Sequence, residues 1–409
     1  MSKPRAEKIP YGRIIAAACF SIQAIGIGIY VAFGVFFNPL MSEFGWSRAV
    51  ISGASSVAFF VMGLFGIVVG RFNDRFGPRI QMTVTAIFLG LGYGLMSRIT
   101  SVWQLYLFYG LFFGIGLSSI DVIALTTITR WFSRNRGMMT GIVKVGTGAG
   151  QFLMPLVAGT LISRFGWRNA YVIIGSIAMV LLILIAQLLK RDPIQRGRPM
   201  AENNPSLVAT PDLEGKSIPF KTALRTRQLW ILCILNLTLV FCMMIIIVHI
   251  VPHARDIGIP APLATAVLST IGGISMLGRV VIGLSIDRIG CRKAALGCLL
   301  VLIVGLLWIQ LADEPWMLFL FAGIYGLAHG AFFTAISPIV AELFGVDSHG
   351  ALLGIVVFFG TVGGSCGPTL AGYIFDRTGS YMPTFWIITV MSVIGLGLMF
   401  SLKPIQSRG

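Results

Sequence analysis

Long apolar stretches of about 20 residues alternate with short charged turns along most of this chain. They fall near residues 14–37, 47–69, 80–97, 103–127, 138–162 and 168–189, and again near 228–250, 263–284, 294–311, 316–340, 350–373 and 383–402. A helix needs roughly 20 apolar residues to cross a hydrocarbon core of about 30 Å. Many of the stretches are apolar on every face and rich in glycine, which fits helices and not the alternating strands of a membrane barrel. The pattern predicts an all-α membrane protein with twelve transmembrane helices. One break divides them six and six. The link between Lys190 and Arg227 carries Pro193, Pro199, Pro205, Pro211 and Pro219 among polar residues and reads as a mostly unstructured linker. The expected division is an N-terminal six-helix bundle over 1–190, a linker over 191–227 and a C-terminal six-helix bundle over 228–409.

The two bundles share one plan. Gly70, Asp74, Arg75, Gly77 and Arg79 recur, 213 positions later, as Gly283, Asp287, Arg288, Gly290 and Arg292. The same offset carries Pro155 onto Pro368, Gly159 onto Gly372, Arg164 onto Arg377 and Gly166 onto Gly379. Membrane transporters with parallel internal repeats are built this way. The repeated segment has its own logic. Gly70 and Gly283 lie near span ends and allow a neighbouring helix to pack closely. Asp74 and Asp287 are expected just past those ends, where each can cap the positive N-terminus of a neighbouring helix or pair with an arginine. Gly77 and Gly290 permit a tight reversal. With Arg75, Arg79, Arg288 and Arg292 they form a candidate latch between rocking bundles.

Only 11% of the residues are charged, against roughly 25% in a soluble domain. Net charge is nevertheless +16. Twenty-three of the 31 Lys and Arg fall on the side that holds both termini, the 70–80, 130–137 and 285–293 turns and the 190–227 link. Six fall on the other side: Arg48, Arg98, Arg164, Arg168, Arg255 and Arg377. That split is a positive-inside signal. It makes the basic excess a mark of topology, with both termini cytoplasmic, and the lipid bilayer, not nucleic acid, the partner. The first apolar segment is too long for a cleavable signal peptide. The loops are too short for a soluble catalytic domain, and no Walker-type loop, HExxH pair or GxSxG elbow occurs. No enzyme, cofactor or metal is expected. The six cysteines lack zinc-type spacing and read as buried apolar thiols.

Three charges lie deep in spans: Asp121, Lys144 and Arg279. Each costs roughly 2.5–3.5 kcal/mol on insertion scales unless it meets a cavity or a partner. At about 1.5 Å of helical rise per residue they sit about 13, 10 and 12 Å from the basic end, in one layer on the fourth, fifth and eighth spans. Arg279 is the leading candidate for substrate binding, because a guanidinium stays protonated and its fork suits a carboxylate. Asp121 and Lys144 either pair with each other or divide the work, Asp121 taking up a coupled proton and Lys144 giving the anion a second contact. His329, in the middle of span ten, can also titrate, or be a hydrogen-bonded interior histidine. Gln23, Tyr30, Asn236, Tyr325, Phe358 and Phe359 are candidate cavity walls by position, although aromatic residues in such helices more often pack.

The doubled segment at equal spacing resembles the major facilitator superfamily, over the whole chain. Gly146-Thr147-Gly148-Ala149-Gly150, leading to Pro155 and Gly159, is similar to that family's glycine-proline fifth helix. Gly45-Trp46-Ser47-Arg48, Arg130-Trp131-Phe132-Ser133-Arg134-Asn135-Arg136-Gly137, Phe165-Gly166-Trp167-Arg168 and the lone cation Arg279 together resemble the monocarboxylate transporters and the neighbouring oxalate/formate exchangers. The resemblance implies the major facilitator fold and alternating access. Animal monocarboxylate carriers have an Asp four residues before the eighth-helix Arg; Ser275 stands there here and joins the candidate substrate site. The chain also lacks a Lys in the first span, where those carriers have one, and in the eleventh, where the oxalate exchangers do.

The leading expectation is a secondary active transporter, a proton-coupled symporter of a small monocarboxylate of the lactate or pyruvate type. It would act as a monomer in the plasma membrane, in a bacterium the inner membrane. An organic anion exchanger of the oxalate/formate type is the alternative, and a non-transporting membrane sensor is the reading from another class.

Overall fold

The structure, a computed structural model, describes residues 11–46, 48–132, 135–191, 194–195, 198–199 and 218–402. Both extreme termini, Ser47, Ser133, Arg134 and most of the link lie outside the described residues. Eleven helical runs among them are long and apolar enough to cross a membrane. One of these, Arg136–Leu188, has 53 residues, about 80 Å of helix, enough for two crossings. It turns back at Gly166 (φ 77°, ψ 159°), a backbone conformation that glycine adopts without a Cβ clash. The spans therefore number twelve, as the apolar pattern predicts. In chain order they are α1 (Tyr11–Ala32), α2 (Arg48–Phe76), α3 (Pro78–Leu95), α4 (Val102–Trp131), α5 (136–165), α6 (167–188), α7 (Arg227–Asp256), α8 (Ala261–Ile289), α9 (Cys291–Trp308), α10 (Pro315–Phe344), α11 (His349–Thr378) and α12 (Met382–Ser401). The described parts of the link are two paired two-residue strands, Ile194–Gln195 and Arg198–Pro199, and a short helix, Phe220–Ala223.

Each half has its own hydrophobic core. The N-terminal core centres on stacked rings, with Phe33 on Tyr109 and Phe36 on Tyr171, both at 3.9 Å between centroids. The C-terminal core runs from Ala223 to Leu402 and draws in Leu125 from the other half. All six cysteines are free thiols. Five are buried, while Cys366 is exposed, a departure from the expectation that all would be buried.

One detail of the repeated segment differs from expectation. Helices α2 and α8 run on through it to Phe76 and Ile289, so Asp74 and Asp287 lie inside the last turn and not beyond it. Nothing between Gly70 and Phe76 stops a helix. The reversal comes only at Gly77 (φ 85°, ψ 169°) and Gly290 (φ 85°, ψ 157°).

The halves meet along two seams, α2 against α11 and α5 against α8. Both are closed at the basic end by missing side chains. Gly70 lies on the backbone of Gly350, Gly354 on that of Gly66, Gly137 on that of Gly283, and Gly141 on the carbonyl of Arg279; a Cβ on the first residue of each pair would overlap its neighbour. Gly146 and Gly150 point another way, onto the carbonyls of Phe20 and Ala24 in α1. The glycines of α5 thus serve two faces, one fixed within its half and one across the seam. Farther from the basic end the α5–α8 seam parts, whereas α2 and α11 stay in contact at Gly63 with Thr361 and at Phe60 with Phe358. Gly272, two turns from Arg279 on the same face of α8, is exposed and has open space around it. Gln151 and Phe152, one turn past Gly148 on α5, are exposed as well.

Gly150→Val, which pushes a branched side chain into the Ala24 carbonyl, should lower the thermal unfolding midpoint of purified protein by an amount equivalent to about 1–3 kcal/mol. Gly272→Ala, whose Cβ meets open space, should stay within about 0.5 kcal/mol of wild type.

Candidate functional site

The three deep charges converge on the α4–α5–α8 layer, as their depths predict. Lys144 Nζ donates to Asp121 Oδ1 at 2.5 Å, and Gln23 Nε2 donates to the same oxygen at 2.8 Å. Thr147 Oγ1 donates to Gln23 Oε1 at 2.8 Å, which turns the Gln23 amide so that its NH₂ faces Asp121. Helices α1, α4 and α5 thereby share one polar network. Lys144 is buried, yet 26% of the Asp121 side chain is accessible, so the carboxylate borders open space.

Arg279 is different. It reaches from α8 across the seam, with Nη1 so close to Gly148 that a Cβ there would lie 2.9 Å away. The residue is 4% exposed, and its Nε and Nη1 are buried without a hydrogen-bond partner among the described residues. Asp121 is close enough to act on it through space, but no hydrogen bond joins the two. A buried donor without an acceptor costs about 1–3 kcal/mol, more when charged. The arrangement is two cations and one carboxylate, one net positive charge, with the uncompensated fork on Arg279. His329 on α10 lies between the rings of Tyr325 and Phe333, near Arg279, and its Nδ1 is also buried without a partner.

The other sequence candidates are placed elsewhere. Asn236 is buried and donates to the Val356 carbonyl at 2.7 Å, tying α7 to α11. Tyr325 is fully buried and donates to the Met243 carbonyl at 2.8 Å. Ser275 donates to its own helix at Gly272, and Gly330 packs against its backbone. The hydrogen bonds of all three go to helix carbonyls. Tyr30 accepts from Ser55 and stacks on Phe59, on the α1–α2 side. Phe358 meets Phe60 across the α2–α11 seam, whereas Phe359 packs on Trp230. The sequence candidates omitted Thr147, which orients Gln23, and Gly148, whose only signal was its place in a glycine run.

The repeated segments form two crossed caps at the basic end. Asp74 of α2 accepts from the N–H groups of Gly350 (3.2 Å) and Ala351 (2.9 Å), at the start of α11. Asp287 of α8 accepts from those of Gly137 (2.8 Å) and Met138 (2.9 Å), at the start of α5. Each carboxylate satisfies orphan N–H groups and meets the positive end of a helix from the opposite half. Arg130 reinforces the first cap. It donates to Asp74 at 2.9 Å and to the carbonyls of Val346 and Asp347. Arg79 and Arg292 instead close their own halves, on the Gln187 and Phe400 carbonyls. Arg75 lies over the Phe76 ring, and Arg288 is exposed.

At the far end of the N-terminal half, Glu43 accepts from Trp167 Nε1 and Arg168 Nη2, both at 2.6 Å. The hydrogen bond from Arg168, then that from Trp167, holds the Glu43 carboxyl below the usual carboxylate range. His249 bonds Tyr381 and the Pro368 carbonyl in the C-terminal half, away from the charge cluster.

A sequence profile of the Major Facilitator Superfamily matches residues 16–284 and 254–408. Monocarboxylate transporter 13 of Bos taurus is 28% identical over 396 residues, covering 96% of this chain and 89% of its own. Monocarboxylate transporter 11 of Homo sapiens is 28% identical over 385 residues, covering 92% and 79%. Among solved structures, the proton:xylose symporter XylE bound to 6-bromo-6-deoxy-D-glucose superposes with a TM-score of 0.79 at 14% identity, covering 96% of each chain. The transporter FucP in the outward conformation does so at 0.73 and 14% identity, covering 97% and 100%.

Lys144→Met should strand the Asp121 carboxylate and destabilise the protein toward the lower end of the roughly 3–5 kcal/mol seen when a buried pair loses one partner, because Asp121 borders open space. Adding Asp121→Asn should recover most of that loss. Equal unfolding midpoints for the single and double variants would deny that the pair is coupled.

Proposed function

Because the chain belongs to the major facilitator superfamily, as a multi-pass membrane transporter related to the monocarboxylate transporters and not an enzyme, we propose that it carries a small monocarboxylate together with a proton by alternating access. The observation that carries this reading is the buried Arg279 guanidinium, whose two forked edges, Nε with Nη2 and Nη1 with Nη2, each include a donor that lacks an acceptor among the described residues, in a layer that holds one net positive charge. A carboxylate supplies two acceptor oxygens in one plane, the geometry a guanidinium fork matches. The apolar faces of the surrounding helices suit a short hydrocarbon tail. The names of the related proteins support the same substrate class.

Asp121 is the proposed proton carrier and Lys144 the group it releases. With Asp121 ionised and the site empty, the cluster carries +1. With a monoanion on Arg279 and a proton on Asp121 it again carries +1, and Lys144 is free to turn toward the anion. Loaded and empty forms then move across the membrane with equal charge. The cycle does no work against an inside-negative potential, which otherwise costs about 2.3 kcal/mol per charge at 100 mV. The basic end is the proposed cytoplasmic side, on the distribution of Lys and Arg. On that orientation the Asp74 and Asp287 caps hold the described state closed on the cytoplasmic side, and the α5–α8 seam parts toward the other side. The proposed setting is the plasma membrane. Exchange of two organic anions is the second reading, favoured by the presence of two cations, Arg279 and Lys144, for a substrate with two carboxylates.

Protein reconstituted in liposomes should take up labelled lactate or pyruvate faster when the outside is more acid than the inside. Uptake that ignores the pH gradient and requires an internal anion would replace symport by exchange. Arg279→Lys keeps the charge and removes the fork; it should weaken binding about 10–150-fold, the equivalent of about 1.5–3 kcal/mol for a charge-assisted bond. Full activity in that variant would refute the two-point contact. Asp121→Asn should bind substrate and lose proton coupling; retained coupling would move the proton to His329 or to the substrate itself.

A further inference from the structure

We propose that His349 is a second proton-binding site, built into the seam between the two halves at the basic end, and that a proton bound there opens the seam. It lies outside the Asp121 cluster and does not depend on what the carrier moves. It requires only that the halves part at this end.

His349 is the first residue of α11 and is fully buried (0% exposed). Its Nε2 lies 3.0 Å from the Ser337 carbonyl on α10, so Nε2 carries a hydrogen and donates. Its Nδ1 lies 3.4 Å from Thr126 Oγ1 on α4, a hydroxyl that donates to an unprotonated ring nitrogen. Ser337 Oγ is 3.4 Å from Nε2 and 3.1 Å from Thr129 Oγ1, also on α4. Helix α4 belongs to the N-terminal half, and α10 and α11 to the C-terminal half. The neutral ring therefore fits a contact that exists only while the seam is shut.

The charged neighbours favour the same neutral form. Arg130 on α4 and Arg136 at the start of α5 are the cations acting on the ring. The start of α11 adds the positive end of its own dipole. Asp74 on α2 is the nearby carboxylate, and it is already bound to Arg130 and to the N–H groups of Gly350 and Ala351. Asp347, in the preceding turn, is exposed and gives its carbonyl to Arg130. A second ring proton would turn Nδ1 from acceptor to donor and place a new charge among these cations with no free counter-ion. When the seam parts, the ring meets water, where histidine titrates near pH 6.5. The open form binds the proton and the closed form does not, so acid favours the open form by linkage.

The internal repeat makes the site one-sided. The offset of 213 residues carries Arg136 onto His349. Both stand at the start of a helix capped by the other half's aspartate, α5 by Asp287 and α11 by Asp74. The residue beside one cap is permanently charged, and its counterpart beside the other is titratable.

The test is hydrogen exchange at the Gly350 and Ala351 amides, the groups Asp74 holds, in the full chain in lipid nanodiscs between pH 5 and 8. Rates are divided by each amide's intrinsic rate at the same pH. Wild-type protection should fall by up to about tenfold per pH unit below about pH 6.5. In His349→Gln, whose amide can still donate to Ser337, the normalised protection should be flat, and Asp121→Asn should keep the wild-type slope. A flat wild-type profile overturns the proposal whatever the variants do. So does an unchanged slope in His349→Gln or, where that variant fails to fold, in His349→Asn.

Discussion

A guanidinium keeps its proton in every protein setting, so a chain that carries Arg279 into the middle of a membrane bundle must neutralise it or leave it for a visitor. The single carboxylate in that layer is already engaged. Asp121 gives one oxygen to both Lys144 and Gln23, and that choice is fixed by Thr147, which sets the Gln23 amide. Arg279 is left with two unsatisfied donors in a space that exists because Gly148 has no side chain. The proposed substrate class follows from this imbalance: one net positive charge, a planar fork and apolar surroundings.

The cation and the seam share a residue. The Arg279 carbonyl lies on Gly141 and its guanidinium lies beside Gly148, so α5 and α8 cannot separate without changing what surrounds the fork. Eight residues further along α8, Asp287 caps the start of α5, and its repeat mate Asp74 caps the start of α11. Glycine pairs let the backbones approach, and the carboxylates then satisfy N–H groups that would otherwise be orphaned. Both contacts are short-range and break together when the helices part. Packed seams of this kind switch between two arrangements and do not deform gradually.

Much of this was legible in the chain, and the limit has a physical cause. Length and apolar content were enough for twelve helices, because a bilayer demands a fixed span. The repeat located both reversals, Gly77 and Gly290, since positive φ favours glycine. Depth along a helix needed only the rise per residue, so Asp121, Lys144 and Arg279 could be assigned to one layer. Rotation about each helix could not be read, because helices apolar on every face have no period to mark a side. Asn236 and Tyr325 are at suitable heights and donate to neighbouring helices, and Ser275 donates to its own. Glycine partners such as Gly70 with Gly350 are 280 residues apart and lie in opposite halves, which no local pattern links. His349 had a signal in its alignment with Arg136, but only the seam gives that alignment meaning.

The most direct measurement is an experimentally determined structure of the protein soaked with a small halogenated monocarboxylate such as 3-bromopropionate, whose heavy atom reports orientation. The account predicts one carboxylate oxygen within about 3 Å of Arg279 Nη2 and the other within about 3 Å of Nε or Nη1, the usual length of a charge-assisted bond, with the bromine on the apolar side of the layer. Ligand bound away from Arg279, or a guanidinium already paired with a protein carboxylate, would contradict it.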